Sequence, residues 1–483
     1  MRIVKRVLST YSADNFGVCS ALYELGGLVV MHDASGCNST YNTHDEPRWY
    51  DMDSMVFISG LTEKDAIFGN DEILVRNLCE TAEKLHPKFV CICGGPLPHI
   101  IGTDFRAVAK AVSRKTNLPC FGIQTNGMDA YTSGAGEAFA CLVDLMENVE
   151  PGSRKKKCVD GDKVPETITD KSEKSTGGLV GCESNAVEKI KVNLLGATPL
   201  DFSLNGSVQA IQELLEDHGF AVRSTWAMGD TLDNILSSGD ADVNLVISAT
   251  GFAAAKKMRE RFGIPYVIGC PVGRAAADRI VCQVREAAWS QSSICGSIAA
   301  TGTQDMKAPN ADIAVADAVR ENDAESSCES HFKNGCDTAE LLLIGEPVMM
   351  KSMAETLRAC GTLKFGEGGC KGEKEFSVRI ISPMRGLPRE IAEGTDEIVL
   401  EDELREACRR ADLVIADPLY ARLLPEEPDK FIKLPHVAYS GRFYEKEIPV
   451  LVGERLDMWL AENVLQSPAV RRDNAAGAGL SIV

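Results

Sequence analysis

The chain has 483 residues, enough for about three domains of ~150 residues each. Its 44% hydrophobic and 25% charged content is that of a soluble globular protein, and no apolar run reaches the ~20 residues that span a bilayer. The formal net charge of −19 would repel phosphates, which argues against nucleic-acid and membrane partners.

The N-terminus has a positive start but no long apolar core or small-residue cleavage site, so no signal peptide is expected. Seventeen cysteines are an odd count at irregular spacing in a chain too large to need disulfide staples, which implies a reducing, cytoplasmic setting.

Cys19, in "FGVCSALYEL", is glycine-flanked at an expected helix start. The apolar run Leu28-Val29-Val30 leads into "MHDASGCNSTYN", a loop of small and polar residues that carries Gly36 and Cys37. These pieces are expected to precede the first sheet and to lie near the edge of the first domain. Near residue 88 the chain reads "KFVCICGGPLPHIIGTDFRAVAKAV" and then "NLPCFGIQTNG". Here Cys93 stands before Gly94 and Gly95, and Cys91, two residues earlier on a strand, shares its face.

The same order recurs. "DVNLVISATGFAAAKKMRERF" is followed by "GIPYVIGCPVG", and "DLVIADPLYARLL" by "KLPHVAYSGR". Each copy is an apolar run of strand length, a turn, a helical stretch, and an X-Pro step leading a second strand. Runs without alternation, separated by helices, imply parallel sheets covered on both faces. Two further strand-helix openings begin near Ile190 and Glu340. In the first, Val208, Ile211, Leu214 and Leu215 mark one buried helix face, and Asn205-Gly206 supplies a turn and cap.

The fold class is therefore α/β, with three Rossmann-like domains, each a parallel sheet flanked by helices, around a central cleft. The expected units are a first domain over 1–150, a polar linker over 151–189, a second domain over 190–300, a polar connection over 301–339, and a third domain with a C-terminal helix and tail over 340–483. Cys158, Cys182, Cys328 and Cys336 fall in the polar tracts and read as incidental thiols.

Ligands of such sheets bind at the turns beyond the strands' carboxyl ends. No turn holds a full dinucleotide fingerprint, a P-loop or a G-x-S-x-G elbow; "TSGAGEAFA" has G-x-G but follows no clean strand. Without a Cys-x-x-Cys pair, and with seven histidines, a conventional zinc site is not expected. Thiolate in glycine-rich loops remains, and iron–sulfur clusters are held by cysteines from separated loops. Cys19, Cys37 and Cys93 suit that chemistry, with Gly36, Gly94 and Gly95 allowing close approach. On residue type alone, buried or free thiols are the simpler reading.

"GCNSTYN", "SMVFISGLTEKDAIFGNDEILVRNL" and "HIIGTDFRAVAKAV" stand in the order and spacing of nitrogenase component 1 proteins, which this sequence resembles from about Arg6 to Leu460 outside the polar tracts. The resemblance implies that Cys19 and Cys37 bind an interfacial cluster. The family's third cysteine falls at Pro96, and Cys93 substitutes if the alignment slips by three residues. Two chains each giving Cys19 and Cys37 would hold one 4Fe–4S cluster better than an eight-iron cluster. Ser248 falls where the molybdenum enzyme's cofactor cysteine stands, and His436 matches the cofactor histidine with a one-residue gap. His436 reads equally as a satisfied turn histidine. Cys270, in "IGCPVG", is a further candidate for the cleft.

By resemblance the chain would be an oxidoreductase component, not necessarily dinitrogen-reducing, in an anaerobic setting. It would be a homodimer or a heterotetramer with a paralogous subunit. An ATP-dependent iron–sulfur reductase would supply electrons to a small-molecule substrate in the cleft, where an additional metallocofactor is also conceivable. A cofactor-assembly scaffold and a metal-free small-molecule binding protein are the alternatives.

Overall fold

A computed structural model describes residues 7–8, 12–36, 46–69, 71–147, 189–298, 339–359, 376–464 and 467. Cys37, most of both polar tracts and their four cysteines lie outside the described residues.

Three all-parallel sheets carry the fold. The first is built from β1 (Leu28–His32), β2 (Val56–Ile58), β3 (Val90–Gly94) and β4 (Cys120–Gly122), in the order β2-β1-β3-β4. The second uses β5 (Ile190–Leu195), β6 (Phe220–Trp226), β7 (Val243–Val246) and β8 (Tyr266–Ile268), in the equivalent order β6-β5-β7-β8. The third comprises β9 (Ala339–Ile344), β10 (Phe376–Ser382), β11 (Asp396–Glu397), β12 (Leu413–Ala416) and β13 (Phe431–Lys433), ordered β11-β10-β9-β12-β13. Each sheet reverses its winding between its first strand and the one after the crossover, so each has a switch point where ligands bind in this architecture.

The inner strands are buried on both faces, as unalternating apolar runs require. In the first sheet Val29, Met31, Cys91 and Cys93 share a face and join the main core. Leu28, Val30, Val90 and Ile92 face the opposite layer. That layer contains α3 (Asp71–Leu85) and α5 (Phe105–Thr116). The main-core face is covered by α1 (Asp14–Leu22) and α6 (Tyr131–Leu145).

Two local expectations change. The N-terminal pieces do not all precede the first sheet: β1 is an inner strand that pairs with both β2 and β3, because the apolar run Leu28–Met31 is satisfied between neighbours. The third X-Pro step does not lead a strand. β13 ends before it, and "HVAYS" forms the short helix α15 (Val437–Ser440), with His436 as its N-cap.

The expected helix over Val208 to Leu215 is α8 (Ser207–Asp217), burying Val208, Ile211 and Leu215. Asn205 Oδ1 accepts from the Ser207 amide at 3.0 Å ahead of it, and Gly206 takes φ +90°. In the second and third sheets the strands also carry helices: α10 (Phe252–Phe262) follows β7, and α12 (Pro347–Ala359) follows β9.

The G-x-G of "TSGAGEAFA" serves packing, not phosphate. It lies in α6, where a Cβ on Gly134 would overlap the Asp14 carbonyl, and a Cβ on Gly17 of α1 would overlap the Tyr131 carbonyl. The two helices touch backbone to backbone, which small residues alone permit. Asp14 locks this contact by accepting amide hydrogen bonds from Asn126 and Gly127, each at 2.8 Å. Gly134→Val should therefore destabilise the protein by about 3 kcal/mol or more. Gly136→Ala, whose added Cβ meets neighbours only at 3.5 and 3.7 Å, should be neutral or mildly stabilising. Urea midpoints of both variants check this, and equal midpoints would refute the close-contact reading.

Candidate functional site

The candidate residues divide between two places. The first lies under the first sheet. Cys19 is in the middle of α1, not at its start, and Cys93 is near the end of β3; both are fully buried. They face each other: burial first, and then a hydrogen bond with Cys93, push the Cys19 thiol well above its ordinary range. Cys91 is equally buried on the same strand face, and its thiol is pushed up by burial and then by Cys93. Gly36 is exposed with open space around it. It lies in the segment leaving β1, one residue before Cys37. Register pairs Met31 with Cys93 and His32 with Gly94, so that segment leaves beside the thiols.

Gly94 and Gly95 have other duties. A Cβ on Gly94 would overlap the Phe105 ring, and its amide donates to Thr125 Oγ1 at 2.7 Å. Gly95 is the buried N-cap of α4 (Pro96–Ile101). Pro96 is exposed and has no donor atom, so among these positions Cys93 is the one with a thiol.

The second place is where the switch points of the second and third sheets meet the start of α6. Its centre is Asp201, in α7 (Pro199–Phe202) after β5. Its carboxylate accepts from Ser248 Oγ at 2.6 Å and Thr198 Oγ1 at 3.3 Å. It also accepts from the Tyr131 hydroxyl at the start of α6 and lies 3.6 Å from Nε2 of His436, the N-cap of α15. Tyr131 is pushed well above its usual range by burial and then by the Asp201 charge.

Two more buried carboxylates close the site. Glu346, after β9, accepts the Ala249 amide at 2.9 Å and the Met349 amide at 2.7 Å, tying the second sheet's loop to the start of α12. Asp417, after β12, accepts the His436 amide and Ser440 Oγ, each at 2.8 Å. Cys270 is fully buried nearby, its thiol pushed well up by burial and then by Glu346 and Asp201.

A narrow cavity of ≈ 30 Å³ runs beside these groups. Asp201, Cys270, Asp417 and His436 line it among apolar side chains such as Met349 and Leu434. Ser248 sits behind Asp201 and does not line it. Asp201, Tyr131, Glu346 and Asp417 escape sequence reasoning because single polar residues in turns carry no period. The one signal for them is position: Asp417 directly follows β12 and Glu346 follows β9 after a single glycine, both central strands at a switch point.

Comparison with known proteins bears out the resemblance. The family model described as "Nitrogenase component 1 type Oxidoreductase" matches residues 16–417. The chain is 28% identical over 214 residues to the nitrogenase iron-molybdenum cofactor biosynthesis protein NifE of Methanosarcina barkeri, covering 44% of this chain and 40% of that one. It is 22% identical over 213 residues to the nitrogenase molybdenum-iron protein alpha chain of Clostridium pasteurianum, covering 44% and 33%. The chain thus spans well under half the length of these curated relatives. Among solved structures, "Nitrogenase Cp1 at pH 6.5" superposes with a TM-score of 0.58 at 14% identity, over 96% of this chain and 93% of that one, which is a likeness of fold.

Burial, and then the Asp201 charge, push Glu346 up to about 7 against the amide bonds that pull it down. A carboxyl whose folded pKa lies above its unfolded value is favoured while protonated. Its contribution is full below pH ~4.5 and is lost as pH rises through about 7, a change of at most about 3 kcal/mol. Stability should therefore fall from pH 5 to pH 8, and Glu346→Gln should flatten the profile in urea titrations. An identical slope in the variant would refute the assignment.

Proposed function

The chain belongs to the nitrogenase component 1 type oxidoreductase family, and on that premise we propose that it is an electron-receiving reductase component with an iron–sulfur cluster near a subunit interface. The observation that carries this reading is the thiol pair Cys19–Cys93, buried and in contact beside the segment that leads to Cys37. Cys19, Cys37 and Cys93 would hold the cluster, with a 4Fe–4S form suiting this ligand count better than an eight-iron form. The Cys19 thiol, which burial pushes well above its ordinary range, would ionise on binding iron, because a coordinating metal deprotonates a thiol. Bound there, a cluster would supply one-electron transfer at low potential.

The partner follows from the surface. Ile67 and Phe68, on α2 (Glu63–Phe68), are 69% and 82% exposed, and Ile100, on the touching helix α4, is 76% exposed. Apolar side chains presented this way mark a protein contact. α2 buries none of its residues in its own core and is held by a Thr62–Asp65 capping box, so its apolar side chains are free to meet a second copy or a paralogous subunit. An ATP-dependent iron–sulfur reductase would deliver electrons to the pair, and the cavity around Asp201 and His436 would receive a small-molecule substrate. The divisions at 151–189 and 301–339 would be linkers between the three units.

A second reading, a cofactor-assembly scaffold, is favoured by the biosynthetic relatives. Turnover with a reductase partner and ATP separates the two, since a scaffold would instead hand on a bound cluster.

Anaerobically purified protein should be brown, with iron and sulfide. Cys37→Ala and Cys93→Ala should each lose most of the iron and the EPR signal, while Cys91→Ala, equally buried on the same face, should keep both. Full iron and an unchanged signal in Cys37→Ala would sink the cluster assignment.

A further inference from the structure

We infer that the groove beside β4, at the open edge of the first sheet, binds a dianionic organic molecule: a phosphate monoester or a dicarboxylate on an apolar body. Its lining shares no residue with the cavity beside Asp201, so the inference goes beyond the reductase reading and does not rest on it.

The groove has the room. It offers ≈ 680 Å³, within the ~300–1,000 Å³ of small-molecule sites. Its walls come from all three sheets' layers: α5, β4 and α6 with the first, α10 with the second, and the loop 385–388 after β10 of the third. Gly122, Gly136 and Gly386 line it, and having no side chains they leave the space open.

Charge sets the ligand class. Arg106, Lys110, Lys257 and Arg385 line the groove against two carboxylates, Glu137 and Asp144, a positive excess in a chain of net charge −19. Burial pushes the Cys120 and Cys141 thiols up to about 11, so they add no charge near neutral pH. Glu137 pairs with Arg106 at 3.2 Å and Asp144 with Lys257 at 2.5 Å. Among the described residues, Lys110 and Arg385 have no such partner. They stand on different layers, α5 and the loop after β10, so one solvated helix face does not account for them together. Like charges gathered on a concave wall focus a positive potential in it, and an anion with two charges relieves that repulsion.

The existing ion pairs do not compete strongly with such a ligand. Arg106 and Glu137 are 68% and 43% exposed, and pairs so open to water are weak, so Arg106 can turn to an anion at little cost. Lysine and arginine take phosphate and carboxylate oxygens in charge-assisted hydrogen bonds. Phe121, Ala253, Leu387 and Pro388 add apolar wall between the cations, which suits a hydrocarbon body better than a bare inorganic ion.

Fluorescence titration of the full-length protein at about pH 8, where a phosphate monoester carries nearly two charges, tests this with three probes. 1-Naphthyl phosphate and naphthalene-1,4-dicarboxylate should each bind about tenfold or more tightly than neutral 1-naphthol, as one charge-assisted hydrogen bond allows. Whichever dianion binds more tightly names the head group. Lys110→Met and Arg385→Met should each weaken the dianions about tenfold. Ala140→Trp, on the groove wall of α6, should block all three probes by filling the space. Lys256→Met, on α10 but outside the lining, should leave affinity unchanged, and bound dianion should raise the wild-type urea midpoint. Equal affinity for 1-naphthol, undiminished dianion binding in Lys110→Met or Arg385→Met, binding that survives Ala140→Trp, an equal loss in Lys256→Met, or no dianion binding at about 1 mM overturns the inference. A colourless, iron-free preparation would instead overturn the cluster reading and leave this result standing.

Discussion

The arrangement depends on one buried carboxylate. Asp201 is 6% exposed and takes its hydrogen bonds from two units at once: Tyr131 from the first, and Ser248 and Thr198 from the second. His436 of the third stands 3.6 Å away. A buried charge is tolerated only when hydrogen-bonded or paired, so each unit that supplies a donor helps to make the carboxylate affordable. Removing any one of them leaves a penalty rather than merely losing a contact. This makes the junction of the three sheets specific in a way that apolar packing alone would not be. Glu346 adds a second tie of the same kind, with amide donors from the Ser248–Ala249 loop and from the start of α12.

Most of the fold was legible because parallel sheets write themselves as unbroken apolar runs. "FVCIC", "VNLVI" and "ELLLI" each became an inner strand covered on both faces. The first and second X-Pro steps led edge strands, where the register needs little sequence. The third failed because the chain had already paired at Phe431–Lys433, and Asp417 then captured the His436 amide and turned "HVAYS" into a helix. The placement of "DASG" beyond an inner strand was missed for a related reason. Leu28–His32 lacks a helix directly after it, so pattern matching did not join it to the strands near residue 90.

The candidate site was legible by residue type but not by role. Cysteine beside glycine suggested close backbone approach to a cluster. Gly17 and Gly94 are instead filled by the Tyr131 carbonyl and the Phe105 ring. What brings Cys19 to Cys93 is helix-on-sheet packing, with α1 pressed between the first sheet and α6. No local motif encodes that contact, since it depends on residues more than a hundred positions apart. Asp201 was equally silent: in "ATPLDF" it looks like any acidic turn residue until the fold surrounds it with three hydroxyl groups.

The two places are joined by a single rigid element. Cys19 rides on α1, which is locked to α6 by the Gly17 and Gly134 contacts and by Asp14 on the Asn126 and Gly127 amides. The first residue of α6 is Tyr131, whose hydroxyl ends on Asp201. A displacement of the thiol-bearing helix therefore moves the donor that stabilises the cleft carboxylate, with no soft loop between to absorb it. Glycine at these two positions is thus what sets the distance between the buried thiols and the cavity. A larger residue there would push the helices apart and would loosen the Tyr131–Asp201 bond at the same time, so stability and the geometry of the cleft are fixed by the same backbone contact.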